Sequence, residues 1–266
     1  MVQIIQKLKK LKNKFYNIFK TILKILISIL RFLFKTIYPY RCASCKHIVK
    51  TSGFCASCWR KLIFINKPYC IICGRPLYNN VLNNSLVCAN CLKHKYYFDR
   101  VFSVFVYNKT IAKAIFEFKF HEKTFLAKQF SELILKKLLD CKENIDFITC
   151  VPMHIKRLRV RGYNQSLLLA NEISKSLNIP CICNLLKKIK HTKAQVQLNS
   201  KNRRINLKSS FDLNQKYINI IKNKNILIVD DVFTTGSTVN ECAKVLKLKS
   251  KVNRIFITTI AKTTKI

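Results

Sequence analysis

Two acidic residues stand before a loop of hydroxyl-bearing residues in the last fifth of the chain. The stretch 226–239 reads ILIVDDVFTTGSTV, with Asp230 and Asp231 between an apolar run and a predicted helix start. Backbone N–H groups at a helix start favour a phosphate. Carboxylates would repel a bare phosphate, so we expect them to bind ribose hydroxyls or a divalent metal. The predicted phosphate-binding residues are Thr234, Thr235, Gly236, Ser237 and Thr238.

One ligand combines all the groups that this stretch could hold. Phosphoribosyl pyrophosphate (PRPP) carries a 5-phosphate, adjacent 2- and 3-hydroxyls and a pyrophosphate that binds Mg²⁺. The acid pair, a two-residue spacer and the Thr-Thr-Gly-Ser-Thr loop also resemble the PRPP-binding signature of type I phosphoribosyltransferases. A chance strand and helix start would explain the loop but not the acid pair beside it.

Eight cysteines form four CxxC pairs in the first part of the chain. Each pair places two thiolates on one tight turn, and two pairs complete the four-sulfur shell that zinc prefers. Pairing in sequence order gives two sites, whereas pairing the first with the third and the second with the fourth gives a cross-braced arrangement. Both remain open, and disulfides or redox dithiols are the alternative to zinc. The candidate ligands for one or two structural zincs are Cys42, Cys45, Cys55, Cys58, Cys70, Cys73, Cys88 and Cys91.

The chain is strongly basic. Its 266 residues hold 50 Lys and Arg against 12 Asp and Glu, a formal net charge of +38, which indicates either anionic partners or a coding bias that also enriches Ile and Asn. A hydrophobic content of 49% is ample for a buried core and excludes a disordered chain. Residues 1–38 alternate apolar and basic positions at helical spacing, which predicts an amphipathic helix. That helix could lie on an anionic membrane, contact a partner, pack on its own chain or, least favoured, span a bilayer.

After residue 98, apolar strands rich in β-branched residues alternate with helices. This pattern predicts a parallel sheet with helices on its faces, and ligands in such sheets bind beyond the carboxyl ends of the strands. Predicted strands cover 100–108, 146–152, 225–231 and 254–261; predicted helices cover 110–118, 123–140, 164–177 and 235–248; a basic loop covers 187–208.

Three features occurring in this order resemble the ComF family of competence-associated proteins. They are the four cysteine pairs, the segment VPMHIKRLRVRGYNQSLLLA at 151–170 and the segment QVQLNSKNRRINLKSSF at 195–211. The resemblance covers about residues 36–262. It implies a type I phosphoribosyltransferase-like parallel sheet with helices on both faces, preceded by a small zinc-binding domain. The implied division is an N-terminal amphipathic helix at 1–38, a double zinc ribbon at 39–95 and a phosphoribosyltransferase domain at 96–266.

The resemblance also implies roles for particular residues. Residues 151–154, including Met153 and His154, match the loop that wraps pyrophosphate, and Arg161 lies in the Arg-rich segment that leads into a helix. Lys119 matches a family lysine. Gln195, Arg203 and Asn206 match the loop that closes over the site. The implied catalytic set is Lys119, Arg161, Arg203, Asp230 and Asp231.

Different functions remain open at this point. One is a cytoplasmic phosphoribosyltransferase of unknown acceptor, linked to DNA uptake, competence or nucleotide metabolism. Another is a competence protein that binds single-stranded DNA and keeps the PRPP site for regulation, with Phe54, Trp59 and Tyr69 as surfaces on which bases stack. A third is a zinc adaptor attached to the inner face of the cytoplasmic membrane. Other competence proteins are expected partners in the first two.

Overall fold

The computed structural model describes most of the chain after residue 38. Residues 16, 19–23 and 25–27 of the predicted N-terminal helix are helical, and their apolar side chains are exposed. The remainder of that helix lies outside the described residues. In the part of the chain that the structure describes, no helix combines the length and hydropathy of a membrane span. The described residues are 16, 19–23, 25–27, 39–77, 86–121, 123–139, 144–190 and 209–264.

The central element is a four-stranded sheet in which all neighbouring strands are parallel, in the order β1-β6-β5-β2. A short antiparallel pair, β3 and β4, lies apart from it. The strands are β1 Arg100–Val106, β2 Phe147–Cys150, β3 Leu186–Lys188, β4 Phe211–Leu213, β5 Ile226–Phe233 and β6 Ile255–Lys262. The helices are α1 Ala56–Arg60, α2 Ala89–Lys93, α3 Lys109–Phe120, α4 Leu126–Leu139, α5 Ile155–Arg161, α6 Gln165–Leu177 and α7 Ser237–Ser250, with a 3₁₀ turn at Gln215–Tyr217.

Helices cover both faces of this sheet. Side chains alternate between the faces of a strand, and along β5 Leu227 and Val229 pack into a core shared with α3, α4 and α6. Ile226 and Ile228 pack into a second core shared with α7, β3 and β4. The predicted parallel sheet with helices on both faces is therefore confirmed, and its apolar strands are explained by burial on each side.

The cysteine-rich block covers the free edge of the sheet. Ile65 donates its N–H to the Val104 carbonyl at 2.8 Å, and Val106 donates to the Ile63 carbonyl at 2.8 Å. This short antiparallel contact satisfies backbone groups that an edge strand such as β1 would otherwise expose. A Cβ on Gly74 would lie 2.7 Å from the Val101 carbonyl oxygen, so the turn at Gly74 approaches β1 more closely than a side chain permits.

Four local elements differ from the sequence-based expectation. β5 continues to Phe233 instead of ending at 231, because β6 pairs with it as far as Phe233 and Lys262. β3 and β4 lie in or next to the predicted loop, where their buried side chains cover the second core. The seven-residue α5 follows β2 directly. Strands of three residues are too short to show a periodicity that sequence reasoning could detect.

Candidate active site

A cavity of about 690 Å³ opens at the carboxyl ends of β5 and β2. β2 ends at Cys150, opposite Val229, so among the described strands β5 has no partner on that side beyond Val229. Asp230 and Asp231 come directly after Val229, where β2 has already ended. For this reason β5 continues to Phe233 and still presents their carboxylates to a ligand. The wall includes, among others, Lys119, Met153, His154, Arg161, Ser166, Lys188, Asp230, Asp231, Thr234, Gly236, Ser237 and Thr238.

The two carboxylates have different partners. Asp231 Oδ2 lies 2.8 Å from the Lys119 ammonium. Asp230 Oδ1 accepts hydrogen bonds from the Ser166 hydroxyl at 3.0 Å and from the Asp231 N–H at 2.9 Å. Burial and the neighbouring Asp231 charge raise the pKa of Asp230 to about 7, against the opposing effects of Lys119 and the hydrogen bonds. One carboxylate is therefore paired with a lysine, and the other has a pKa near neutral pH.

The end of α3 is fixed to the start of α6. Tyr163 donates its hydroxyl to the Phe118 carbonyl at 2.6 Å, and the Gln165 amide donates to the Lys119 carbonyl at 3.1 Å. Lys119 is in the last turn of α3, so these bonds set the point from which its side chain reaches Asp231. A helix C-terminus also favours a cation, since its carbonyls carry partial negative charge.

Arg161 occupies the wall between α3 and α6. Its guanidinium lies over the Phe120 ring at 4.5 Å from the centroid and donates to the Gln165 side chain at 3.3 Å. Burial lowers the pKa of Arg161, while the Asp231 charge opposes that change. A guanidinium stays protonated in proteins, so the wall keeps a positive charge here.

The predicted pyrophosphate loop, 151–154, joins β2 to α5. His154 caps α5, because its Nδ1 accepts the Lys156 N–H at 3.2 Å. Asn164, which caps α6, donates its side-chain amide to the Val151 carbonyl at 3.1 Å. The loop is therefore fixed at both ends and borders the cavity with Met153 between them.

The predicted phosphate loop leads from β5 into α7, with Gly236 at the helix cap in a left-handed conformation, φ 76°. A Cβ there would lie 2.5 Å from Cζ of Phe233, so the ring of Phe233 requires the glycine. We expected the glycine to admit a ligand, and the structure adds this contact within the protein. Thr235 does not border the cavity; its hydroxyl lies 2.8 Å from that of Ser237.

Ser166 and Lys188 are among the cavity residues that sequence reasoning missed. Ser166 stands in the first turn of α6, where a serine usually reads as a helix-start residue, and Lys188 ends the unpredicted β3. Burial lowers the pKa of Lys188, and the nearby Arg157 charge adds to this. Gln195, Arg203 and Asn206, predicted to close over the site, lie outside the described residues.

The eight predicted zinc ligands form two groups of four. Their Sγ atoms lie within 4.8 Å of one another in each group, and pairing follows sequence order, so the cross-braced alternative is wrong. Cys45 and Cys55 Sγ are 3.6 Å apart, and Cys73 and Cys88 Sγ are 3.7 Å apart. A tetrahedral shell with Zn–S bonds of about 2.3 Å has sulfurs about 3.8 Å apart, which fits these distances. The first group is Cys42, Cys45, Cys55 and Cys58; the second is Cys70, Cys73, Cys88 and Cys91.

Backbone N–H groups support the sulfurs of both groups. Cys55 donates its N–H to Cys42 Sγ, and Cys88 donates to Cys70 Sγ, each at 3.3 Å. Such bonds favour the thiolate form that a metal requires. The cysteines of the described residues are all free thiols, so the disulfide alternative gains no support.

Only one of the three aromatics expected to stack DNA bases is exposed. Trp59 is exposed, while Phe54 is half-buried and packs against Trp59 and Phe130. Tyr69 is 5% exposed, and the Lys137 ammonium lies 4.3 Å from its ring centroid. The expectation for Tyr69 is wrong, because its ring is covered by the protein itself.

Comparison with known proteins finds two family models and several named relatives that are similar to this chain. Residues 33–92 match the model of the double zinc ribbon domain, and residues 162–264 match that of the phosphoribosyl transferase domain. Competence protein F of Haemophilus influenzae is 34% identical over 79% of this chain and 92% of its own length. DNA utilization protein YhgH of Escherichia coli K12 is 31% identical over 73% and 84%. Competence protein ComFC of Bacillus subtilis is 26% identical over 74% and 79%.

Proposed function

The chain belongs to the ComF family of competence proteins, and we propose that it binds PRPP with Mg²⁺ and transfers the 5-phosphoribosyl group to an acceptor. The observation that carries this proposal is the shared cavity. Asp230, Asp231 and the residues of the loop 234–238 other than Thr235 border the same space as the loop 151–154. A ligand there meets the hydroxyl groups of the loop 234–238, the carboxylates of the acid pair and the cations of Lys119, Arg161 and Lys188.

The acid pair suits the middle of PRPP. Carboxylate oxygens are the ligands that Mg²⁺ prefers, and Asp230 and Asp231 are the residues that would hold it, directly or through water, together with the ribose hydroxyls. When bound, Mg²⁺ supplies positive charge to the pyrophosphate leaving group. Lys119 would keep Asp231 oriented toward the cavity, as its ion pair does without ligand.

The basic wall suits the leaving group. Pyrophosphate gains negative charge as its bond to the sugar breaks, so fixed cations and backbone donors stabilise the transition state more than the substrate. Arg161 and the loop that holds Met153 and His154 occupy this position. A phosphoribosyl transfer needs no protein nucleophile, since orientation and charge stabilisation can lower the barrier. Arg203 is proposed to complete the wall from the loop that closes over the site.

We further propose that this activity serves the use or uptake of DNA. Relatives of this chain carry the names competence protein and DNA utilization protein, which is the basis for this step. The proposed location is the cytoplasm, with the exposed apolar side chains of residues 19–27 touching the inner face of the membrane. Flotation of the protein with vesicles containing anionic lipid tests that contact. Protein that stays at the bottom of the gradient would argue against it.

Calorimetry with PRPP and Mg²⁺ tests the central proposal. The parent protein should bind PRPP only when Mg²⁺ is present. A double variant, Asp230→Asn with Asp231→Asn, should lose this binding, because amides keep the shape but not the charge of the carboxylates. Asp212→Asn is the matched control, since Asp212 pairs with Lys249 away from the cavity. Absence of binding by the parent, or equal binding by the double variant, would refute the proposal.

A further inference from the structure

A second cavity, of about 790 Å³, adjoins the first. It lies between the turn of the first zinc group and α3, and it shares Lys119, Phe120 and Arg161 with the first cavity. A molecule in the second cavity could therefore contact Lys119, Phe120 and Arg161, which also border the cavity that holds the acid pair. Nothing in the proposed PRPP site uses the rest of this space.

The second cavity has an aromatic end and a cationic end. Lys109, Lys113, Phe116 and Phe120 are spaced by four, three and four residues, so they share one face of α3. Phe116 and Phe120 are 53% and 51% exposed, and their ring centroids are 4.9 Å apart. Large exposed aromatics side by side are unusual on a surface that binds nothing. The rings stand next to the PRPP cavity, and the two lysines follow toward the start of the helix.

The one carboxylate of this wall is already neutralised. Glu117 is 5% exposed, and its oxygens lie 2.6 Å from the Lys123 ammonium and 3.0 Å from that of Lys46. Burial favours the neutral acid, but these lysines outweigh it and lower the pKa of Glu117. Among the described residues, no carboxylate pairs with Lys109 or Lys113. This second cavity, the groove, therefore offers two lysine charges to a ligand.

We propose that this groove binds a free nucleotide, with its base on Phe116 and Phe120 and its phosphate at Lys113 and Lys109. Measured along the helix axis, Lys113 and Lys109 are about 10 and 16 Å from Phe120, and lysine side chains shorten that reach. A nucleotide spans this arrangement. A free base would leave the cationic end without an anion, and a bare phosphate would leave both rings exposed.

This inference rests on the proposed function in one respect, because it makes the nucleotide the acceptor. A ring nitrogen of the base would use its lone pair to form the bond to C1 of PRPP. The C1–O bond would break, pyrophosphate would leave with that electron pair, and any proton on the nitrogen would pass to water. The shared wall of Lys119, Phe120 and Arg161 is where base and sugar would meet.

Calorimetric titration with adenosine 5′-monophosphate, and then with the other three nucleoside monophosphates, tests the groove. At least one should bind the parent. Phe116→Ala should weaken that binding about tenfold through lost stacking. Lys113→Gln should weaken nucleotide binding but leave nucleoside binding unchanged. Phe125→Ala and Lys136→Gln are matched controls, since both side chains are exposed outside the groove.

The outcomes separate this inference from the proposed function. A nucleotide held at the loop 234–238 instead would bind Phe116→Ala and Lys113→Gln as well as the parent, and this result would overturn the groove. Failure of all four nucleotides to bind would overturn it too. If PRPP binds and nucleotides do not, only the groove is wrong. If the groove variants lower nucleotide affinity while PRPP does not bind, the groove stands and the phosphoribosyl proposal falls.

Discussion

The ammonium of Lys119 lies 2.8 Å from Asp231 Oδ2, joining the last turn of α3 to the acid pair of β5. Both side chains are largely buried, with 23% and 14% of their surfaces exposed. Because water screens such a pair only weakly, removal of one partner affects the protonation of the groups nearby. The neighbouring Asp230 is the group in which this effect can be measured.

Binding of PRPP should depend on pH through Asp230. Its pKa is raised from 3.8 to about 7, so the folded protein holds this proton more tightly than the unfolded chain does. Between these two values, a rise in pH therefore lowers the contribution of Asp230 to stability. In the proposed site the ligand is bound by the carboxylate form, so the affinity for PRPP with Mg²⁺ should rise through about pH 7 and level off above it. Calorimetry at a series of pH values measures this midpoint.

Substitution of Lys119 should shift that midpoint upward. The Lys119 charge lowers the pKa of Asp230, so Lys119→Met removes a group that favours the carboxylate. Overall affinity should also fall. Lys123→Met is the control, because Lys123 pairs with Glu117 instead of the acid pair. The 5-phosphate of PRPP also ionises, but it contributes equally to the measurements on the parent and on both variants. A midpoint that stays in place in Lys119→Met would contradict the role given to this lysine.

Contact of Phe233 with Gly236 leads to a prediction about stability. Gly236→Ala must accept a positive φ, which costs roughly 1–2 kcal/mol, and must also displace a ring from 2.5 Å. Gly162→Ala is a matched control, since Gly162 has the same φ of 76° and no atom within 4 Å of the added Cβ. Thermal unfolding should show a clearly larger loss for Gly236→Ala.

A double-mutant cycle then isolates the ring contact. In a Phe233→Leu background the side chain is smaller and more flexible, so Gly236→Ala should cost less than it does in the parent. The remaining cost should approach that of Gly162→Ala. Equal costs of Gly236→Ala in both backgrounds would show that the ring is not the reason for the glycine.

Sequence alone predicted the parts of the site that are formed by residues close together in the chain. The acid pair and the loop 234–238 belong to one short stretch of chain, so their order already places them together. The loop 151–154 was assigned to the site only through the resemblance to the ComF family. Residue types also predicted the cysteine groups. They did not decide how the pairs combine, because both pairings satisfy a four-sulfur shell and only the path of the chain distinguishes them.

Contacts between distant segments were beyond this reasoning. Ser166 donates its hydroxyl to Asp230 only because α6 packs beside the end of β5, 64 residues further along the chain. Phe116 falls within the predicted helix 110–118 and Phe120 beyond its predicted end, and no pattern in the sequence singled out either ring. Local patterns report which face of an element is apolar, but the identity of its neighbour is set by tertiary packing.

Metal content and metal release are predicted to differ between the two cysteine groups. Metal analysis should find about two zincs per chain, one for each four-sulfur shell. All four cysteines of the second group are buried, whereas Cys45 is exposed and Cys55 half-buried in the first. A chelator must approach a ligand to replace it, so zinc should leave in two phases, the first group releasing its ion faster. A coloured chelator follows both phases.

Single cysteine variants assign the phases. Cys42→Ser should abolish the fast phase and leave the slow one, and Cys70→Ser should do the reverse, because each group holds its own ion. Cys183→Ser is the control, since Cys183 is an exposed thiol outside both groups. Loss of zinc from the second group should also unfold more of the chain than loss from the first group, because the turn at Gly74 in the second group lies against β1. The prediction of two independent zinc sites of unequal burial would be refuted if one variant removed both phases, or if both ions left at the same rate.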